Sequence, residues 1–160
     1  MSETIVTGLA DLQKALDQLP AKLEANVLRS ALRQGAKVQL AKAREAVPVQ
    51  SGDLRESLRI STRSRRGLVR AILKAGNKKA FYAHLVEFGT AEHWIKPKNR
   101  KSLFLAGVAR ETVHHPGAQK KPFIRPALDS TVPAVIAAVG AYLRRRLDKE
   151  GIDLPDAENR

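Results

Sequence analysis

The sequence predicts an α+β fold: a small antiparallel sheet from the middle third of the chain, packed against a long N-terminal helix and a C-terminal helix. Three observations predict it. Leu28, Leu32, Ala36, Leu40, Ala43 and Val47 recur at a spacing near four, the stripe of an amphipathic helix. Val132, Val135, Ile136, Val139, Tyr142, Leu143 and Leu147 form a second such stripe near the other end. Between them the period changes to two: Leu58, Ile60 and Thr62 alternate with Arg59, Ser61 and Arg63, and a second β-branched run follows Gly67.

In chain order, Thr4 to Thr7 is a short β-branched edge strand. Gly8 to Leu19 carries Leu9, Leu12, Leu16 and Leu19 at helical offsets and stops at Pro20, which fits best as the first residue of the long helix running to about Val47. Its opposite side holds Lys22, Arg29, Arg33, Lys37, Lys42 and Arg44, the solvated face of such a helix. Pro48 stops it, and Ser51-Gly52-Asp53 supplies a hydroxyl cap and an early acid for one helical turn carrying Leu54. Leu58 to Leu73 reads as a β-hairpin whose tip carries Arg63, Arg65 and Arg66.

Ala75 to Lys79 is a polar turn, and Phe81 to Phe88 a short helix that Gly89 ends. Glu92 to Lys101 reads as an irregular basic loop around Trp94 and Pro97. Ser102 to Ala106 and Val108 to Val113 are short strands paired around Gly107, and His114 to Gly117 turns the chain back. A loop-rich block of this length is expected to order against a neighbouring subunit or partner. The last helix is expected to start at Pro126 and to restart or kink at Pro133, with Arg144 to Arg146 placed well for its dipole. Residues 1–150 are read as one α+β domain and 151–160 as a flexible C-terminal tail.

Charge is unevenly placed. The formal net charge is +13, and Ser51 to Arg125 alone holds 17 basic and 5 acidic side chains, a balance of +12. A basic region of this kind suits nucleic acid, an acidic protein surface or plain solvent. Cysteine is absent, which excludes disulfides, thiol catalysis and cysteine-ligated zinc. No apolar run approaches the roughly 18 residues that a membrane span needs, and the start lacks a basic segment followed by an apolar one, so neither membrane nor secretory route is expected.

Little enzymatic chemistry is legible. His84 and Glu87 share a helix face, and with His93 or His114 and His115 they offer the donor types of a metal site. No His-Glu-x-x-His or comparable second motif accompanies them, and adjacent histidines in a strand point apart. No nucleophile elbow or glycine-rich phosphate loop is present. The expectation is a protein that is not an enzyme and that holds no cofactor and no metal. The aromatic residues Phe81, Tyr82, Phe88, Trp94, Phe104, Phe123 and Tyr142 are expected mostly in the core, with Trp94 the candidate interface anchor among Lys96, Lys98 and Arg100.

The densest stretch is Phe81 to Thr90, FYAHLVEFGT, in which Glu87 lies on or beside the apolar flank of the short helix. A carboxylate there needs a cation or a backbone N–H. The second dense stretch, Lys121 to Asp129, offers Arg125, and an Arg125–Glu87 fork would join the two, within one subunit or across two. The competing reading has Glu87 capping a backbone N–H while Arg125 faces solvent or DNA.

These stretches, with Ser51 to Leu58, carry a resemblance. The order small-Gly-x-Leu-Arg-x-Ser, then Tyr-x-x-x-Val-Glu-Phe-Gly-Thr, then Pro-Phe-Ile-Arg-Pro-Ala, spread between about Gly8 and Leu147, resembles the gene-product-ten family of lambdoid siphophages. That family comprises minor tail proteins that complete the tail or join it to the head. The resemblance implies a structural virion protein that forms a ring-like homo-oligomer and docks other tail or neck proteins; the absence of cysteine suits assembly in the host cytoplasm, and the basic middle region allows passing contact with DNA. Glu87, Arg125, Trp94, Phe88 and Phe123 are the structural or interface candidates, and Arg63, Arg65 and Arg66 either face DNA or keep an exposed turn soluble and protected from edge pairing by their charge. The alternative function is a sequence-nonspecific, basic nucleic-acid-binding protein.

Overall fold

The computed structural model describes residues 8–17, 21–65, 67–98 and 101–152. The fold is α+β, as the sequence predicts. A short helix α1 (Leu9–Asp17) precedes the long helix α2 (Ala21–Ala46), then one turn α3 (Asp53–Ser57), the strands β1 (Arg59–Arg65) and β2 (Leu68–Lys74), and a short helix α4 (Ala83–Phe88). Four three-residue strands follow, β3 (His93–Ile95), β4 (Leu103–Leu105), β5 (Val108–Arg110) and β6 (Val113–His115), before the closing helix α5 (Ile124–Asp148). The long N-terminal helix is α2, preceded by the short α1. The expected strand at Thr4 to Thr7, the Pro20 helix start, Arg66 at the hairpin tip and residues 153–160 of the tail lie outside the described residues.

The most extensive packing is α2 against α5, and the hairpin β1–β2 lies on α2. Two apolar clusters result. Phe123 and Ala127 of the α5 start meet Ala43, Val47, Leu54, Leu58, Ala80 and Ala83 in one, and Leu143 and Leu147 meet Ala15, Leu16, Val27 and Ala31 in the other. Between them the helices touch closely at Gly35, where a Cβ would come within 2.7 Å of the Val139 side chain and 3.0 Å of that of Val135. Glycine costs helix stability of about 1 kcal/mol relative to alanine, and here the close approach of α5 is the reason for it. Beyond α5, Ile152 donates its N–H to Leu147 O at 3.0 Å and packs on the second cluster.

Several expectations need correcting. The described strands form not one sheet but three separate antiparallel pairs, β1–β2, β3–β6 and β4–β5, of which β1–β2 packs its face on the helix α2. The expected loop at Glu92 to Lys101 contains β3, and His114 and His115, read as a turn, are strand residues paired with it in the register His93↔His115 and Trp94↔His114. Helix α5 starts two residues before Pro126 and continues through Pro133. Proline removes the hydrogen bond to the Asp129 carbonyl, and both residues are exposed, on the side of α5 where that loss is least costly.

Candidate functional site

Helix α5 is capped from a distance. The first N–H groups of a helix lack intrahelical acceptors. Here Phe123 and Ile124 donate theirs to Glu87 Oε2 at 2.8 and 3.0 Å, and Arg125 donates its own to Glu87 Oε1 at 3.1 Å. The next residue is Pro126, which has no N–H to satisfy. One carboxylate from 36 residues upstream therefore answers every donor at this helix start, and its negative charge opposes the positive end of the helix dipole. Glu87 is 7% exposed, a burial that such a set of charge-assisted bonds makes tolerable.

The two dense stretches are indeed joined, but within one chain the joint is carboxylate to backbone, not carboxylate to guanidinium. The Arg125 side chain is exposed and has no ion-pair partner among the described residues, so within one chain the backbone cap takes the place of the expected fork. Helix geometry explains the outcome, because Glu87 sits on α4 facing the tip of α5 while the second helical position, Arg125, points its side chain outward.

Neighbouring bonds hold this joint in register. Lys121 donates its N–H to Val86 O at 2.8 Å, and Thr90 and Ala118 exchange backbone bonds of 2.9 and 3.1 Å. Thr90 Oγ1 accepts the Ala118 N–H as well, at 2.9 Å. The pairing has a glycine on each side. Gly89 has φ +74°, and a Cβ on it would lie 2.6 Å from Ala118 O; Gly117 has φ +86°, and a Cβ would lie 2.3 Å from Thr90 O. A side chain at either position meets both a left-handed backbone and a backbone wall. The sequence marks Gly89 as a helix stop, whereas the close approach at Gly117 has no local signal.

The Ser-Gly-x-Leu-Arg-x-Ser stretch meets the same region. Leu54 and Leu58 are core residues beside Ala83 and Phe123, and Ser57 Oγ donates to Leu54 O at 2.7 Å while accepting the Gly76 N–H at 2.9 Å. Pro48, Ser51, Gly52, Tyr82, Val86 and Lys121 line a hollow of about 180 Å³ where the three motifs converge.

Tyr82 and Tyr142 pack on the two clusters as expected, and Trp94, the candidate anchor, is exposed, but Phe81, Phe88 and Phe104 are not in the expected core. Phe123 is fully buried, but Phe81, Phe88, Trp94 and Phe104 are 70%, 77%, 63% and 77% exposed. Phe81, Leu85 and Phe88 fall at offsets of four and three, so α4 shows solvent an apolar side opposite to the one holding Glu87. Trp94 packs on His114, with centroids 4.9 Å apart, and His93 stacks on His115 at 5.0 Å. These residues stand on an arm in which Thr90–Ala118, β3–β6 and β4–β5 are nested, with Phe104, Leu105 and Val108 exposed near its tip. Arg63 and Arg65 are exposed on β1. Among the described residues, no cluster of His, Cys, Asp and Glu is arranged to hold a metal.

A family model described as "Bacteriophage HK97-gp10, putative tail-component" matches residues 10–89, half of the chain. The chain belongs to this family. It is a tail-related structural protein of a bacteriophage, and hence a component of the virion. The matched stretch runs from α1 through α4 and ends at Gly89, so it includes Glu87 but not the α5 start that Glu87 caps. No curated protein and no solved structure matches the chain.

Proposed function

We propose that this tail component completes the tail or joins it to the head by associating into a ring and docking neighbouring tail or neck proteins. The observation that carries the reading is the apolar arm together with the outer side of α4. Phe81, Phe88, Trp94 and Phe104 each leave most of their surface to water, although a chain of this size has core enough to absorb them. Large aromatics rimmed by cations, here Lys96, Lys98, Lys101 and Arg110, are the composition of a contact centre. Trp94 and Phe88 act as anchors, while Glu87 and Phe123 set the angle at which the arm leaves the helices.

Light scattering of the purified protein, alone and mixed with tail and neck proteins, tests this. The wild type is expected to form a closed oligomer or a complex, and a Trp94→Ser/Phe104→Ser variant to stay monomeric with its helical circular dichroism unchanged. A wild type that remains a monomer in every mixture would overturn the proposal.

A further inference from the structure

The outer face of the β1–β2 hairpin has no place in that reading. Between Glu56 and Glu87 the sequence has eight Lys or Arg residues and no acid. The register sorts them. Ile60↔Leu73, Thr62↔Ala71 and Ser64↔Val69 face α2 and are half-buried, whereas Arg59↔Lys74, Ser61↔Ile72, Arg63↔Arg70 and Arg65↔Leu68 form the outward rows. Five cations thus share one face. Arg59 is engaged locally, donating from Nη1 to Ser57 O and Gly76 O, at 3.1 and 2.6 Å. Among the described residues, Arg63, Arg65, Arg70 and Lys74 have no ion-pair or side-chain hydrogen-bond partner.

Arg63 stands directly opposite Arg70, and like charges in that relation destabilise a strand pair. Both residues are exposed, and nothing in the fold requires arginine at either. An anion placed on the face removes the penalty. Self-association sharpens the demand, because each added copy brings a net charge of +13.

We infer that this face, through Arg63, Arg65, Arg70 and Lys74, binds the phosphate backbone of duplex nucleic acid without reading its sequence. The face carries Leu68 and Ile72 but no aromatic residue, so it lacks both the anchors of a protein interface and the stacking platforms that hold single strands. From Arg65 to the Arg59–Lys74 row it spans about 20 Å of strand, more than half of the roughly 34 Å duplex pitch, which is room for several phosphates of one backbone. Arginine suits the task because its planar fork meets two phosphate oxygens together.

The test is fluorescence anisotropy of a short mixed-sequence duplex with the full chain, titrated across about 50 to 200 mM salt. Four contacts predict a slope of log affinity on log salt of about −4 per chain. R63Q/R70Q is expected to weaken binding by at least about tenfold and to reduce the slope by about two, whereas K14Q/K149Q, an equal charge change at exposed positions of α1 and just beyond α5, moves affinity by about twofold. Thermal unfolding without DNA checks that R63Q/R70Q is folded; its midpoint should hold or rise, since a repulsion is removed. Equal losses in the two variants, or none in R63Q/R70Q, would overturn the inference. A poly-glutamate of matched charge bound as tightly as the duplex, and lost in parallel with it, would also overturn it and give the face to an acidic protein.

Discussion

The joint between α4 and α5 and the β-arm that leaves beside it use similar residues to opposite ends. In the joint, Phe123 is fully buried, one carboxylate satisfies three backbone donors, and glycines stand where backbones nearly touch. Ten to thirty residues away, Trp94 and Phe104 lie open to solvent on a ribbon stabilised mainly by its own cross-strand pairs. Two-stranded ribbons are marginal alone, so the arm borrows its stability from the Thr90–Ala118 bridge at its root. A rigid socket and an unsupported apolar arm together suit a protein that presents a surface rather than one that encloses a substrate.

Glu87→Ala breaks the contrast most severely. It leaves three N–H groups at the α5 start without acceptors, and the expected loss is about 3 to 5 kcal/mol in denaturant unfolding. Glu87→Gln, which keeps an acceptor but turns an amide toward donors, should cost about half as much. A loss under about 1 kcal/mol for Glu87→Ala would mean that water replaces the cap and that the socket is softer than described.

Gly117→Ala attacks the root of the arm. The left-handed backbone and the 2.3 Å approach to Thr90 O predict a cost of about 2 to 3 kcal/mol, seen as lower protection from hydrogen exchange at Thr90 and Ala118 while α2 amides keep theirs. Uniform loss across both regions would show that arm and helices unfold as one unit.

Gly35→Ala probes the helix crossing. Overpacking against Val135 and Val139 costs about 1 to 3 kcal/mol, and the better helix propensity of alanine returns about 1, leaving a net loss of about 1 in urea unfolding. A stabilised variant would show that the crossing widens without strain.

Arg125→Met gives the smallest effect, within about 0.5 kcal/mol, because its N–H rather than its guanidinium meets Glu87. Combined with Glu87→Gln in a double-mutant cycle, the two changes should add. Coupling detected in the oligomer but not in the monomer would place the Arg125 guanidinium at a neighbouring subunit.

Helix existence, the hairpin and the need of Glu87 for a partner were all legible in the sequence, because each is carried by periodicity or by the cost of burying one charge. Leu58 and Ile60 announce the change of period locally, and the α2 stripe from Leu28 to Val47 announces its buried side. Which donor meets Glu87 was not local information. It depends on α4 and α5 meeting end-on, which puts backbone N–H groups nearer than a guanidinium that can rotate into water. The same holds for Phe88, Trp94 and Phe104, since aromatic character is identical in a core and on an arm, and only the tertiary structure decides whether another layer covers it. Gly35, Gly89 and Gly117 make the point most sharply: the sequence shows glycine, but the backbone or side chain that forbids a Cβ belongs to a segment 27 to 104 residues away, and only the fold brings it there.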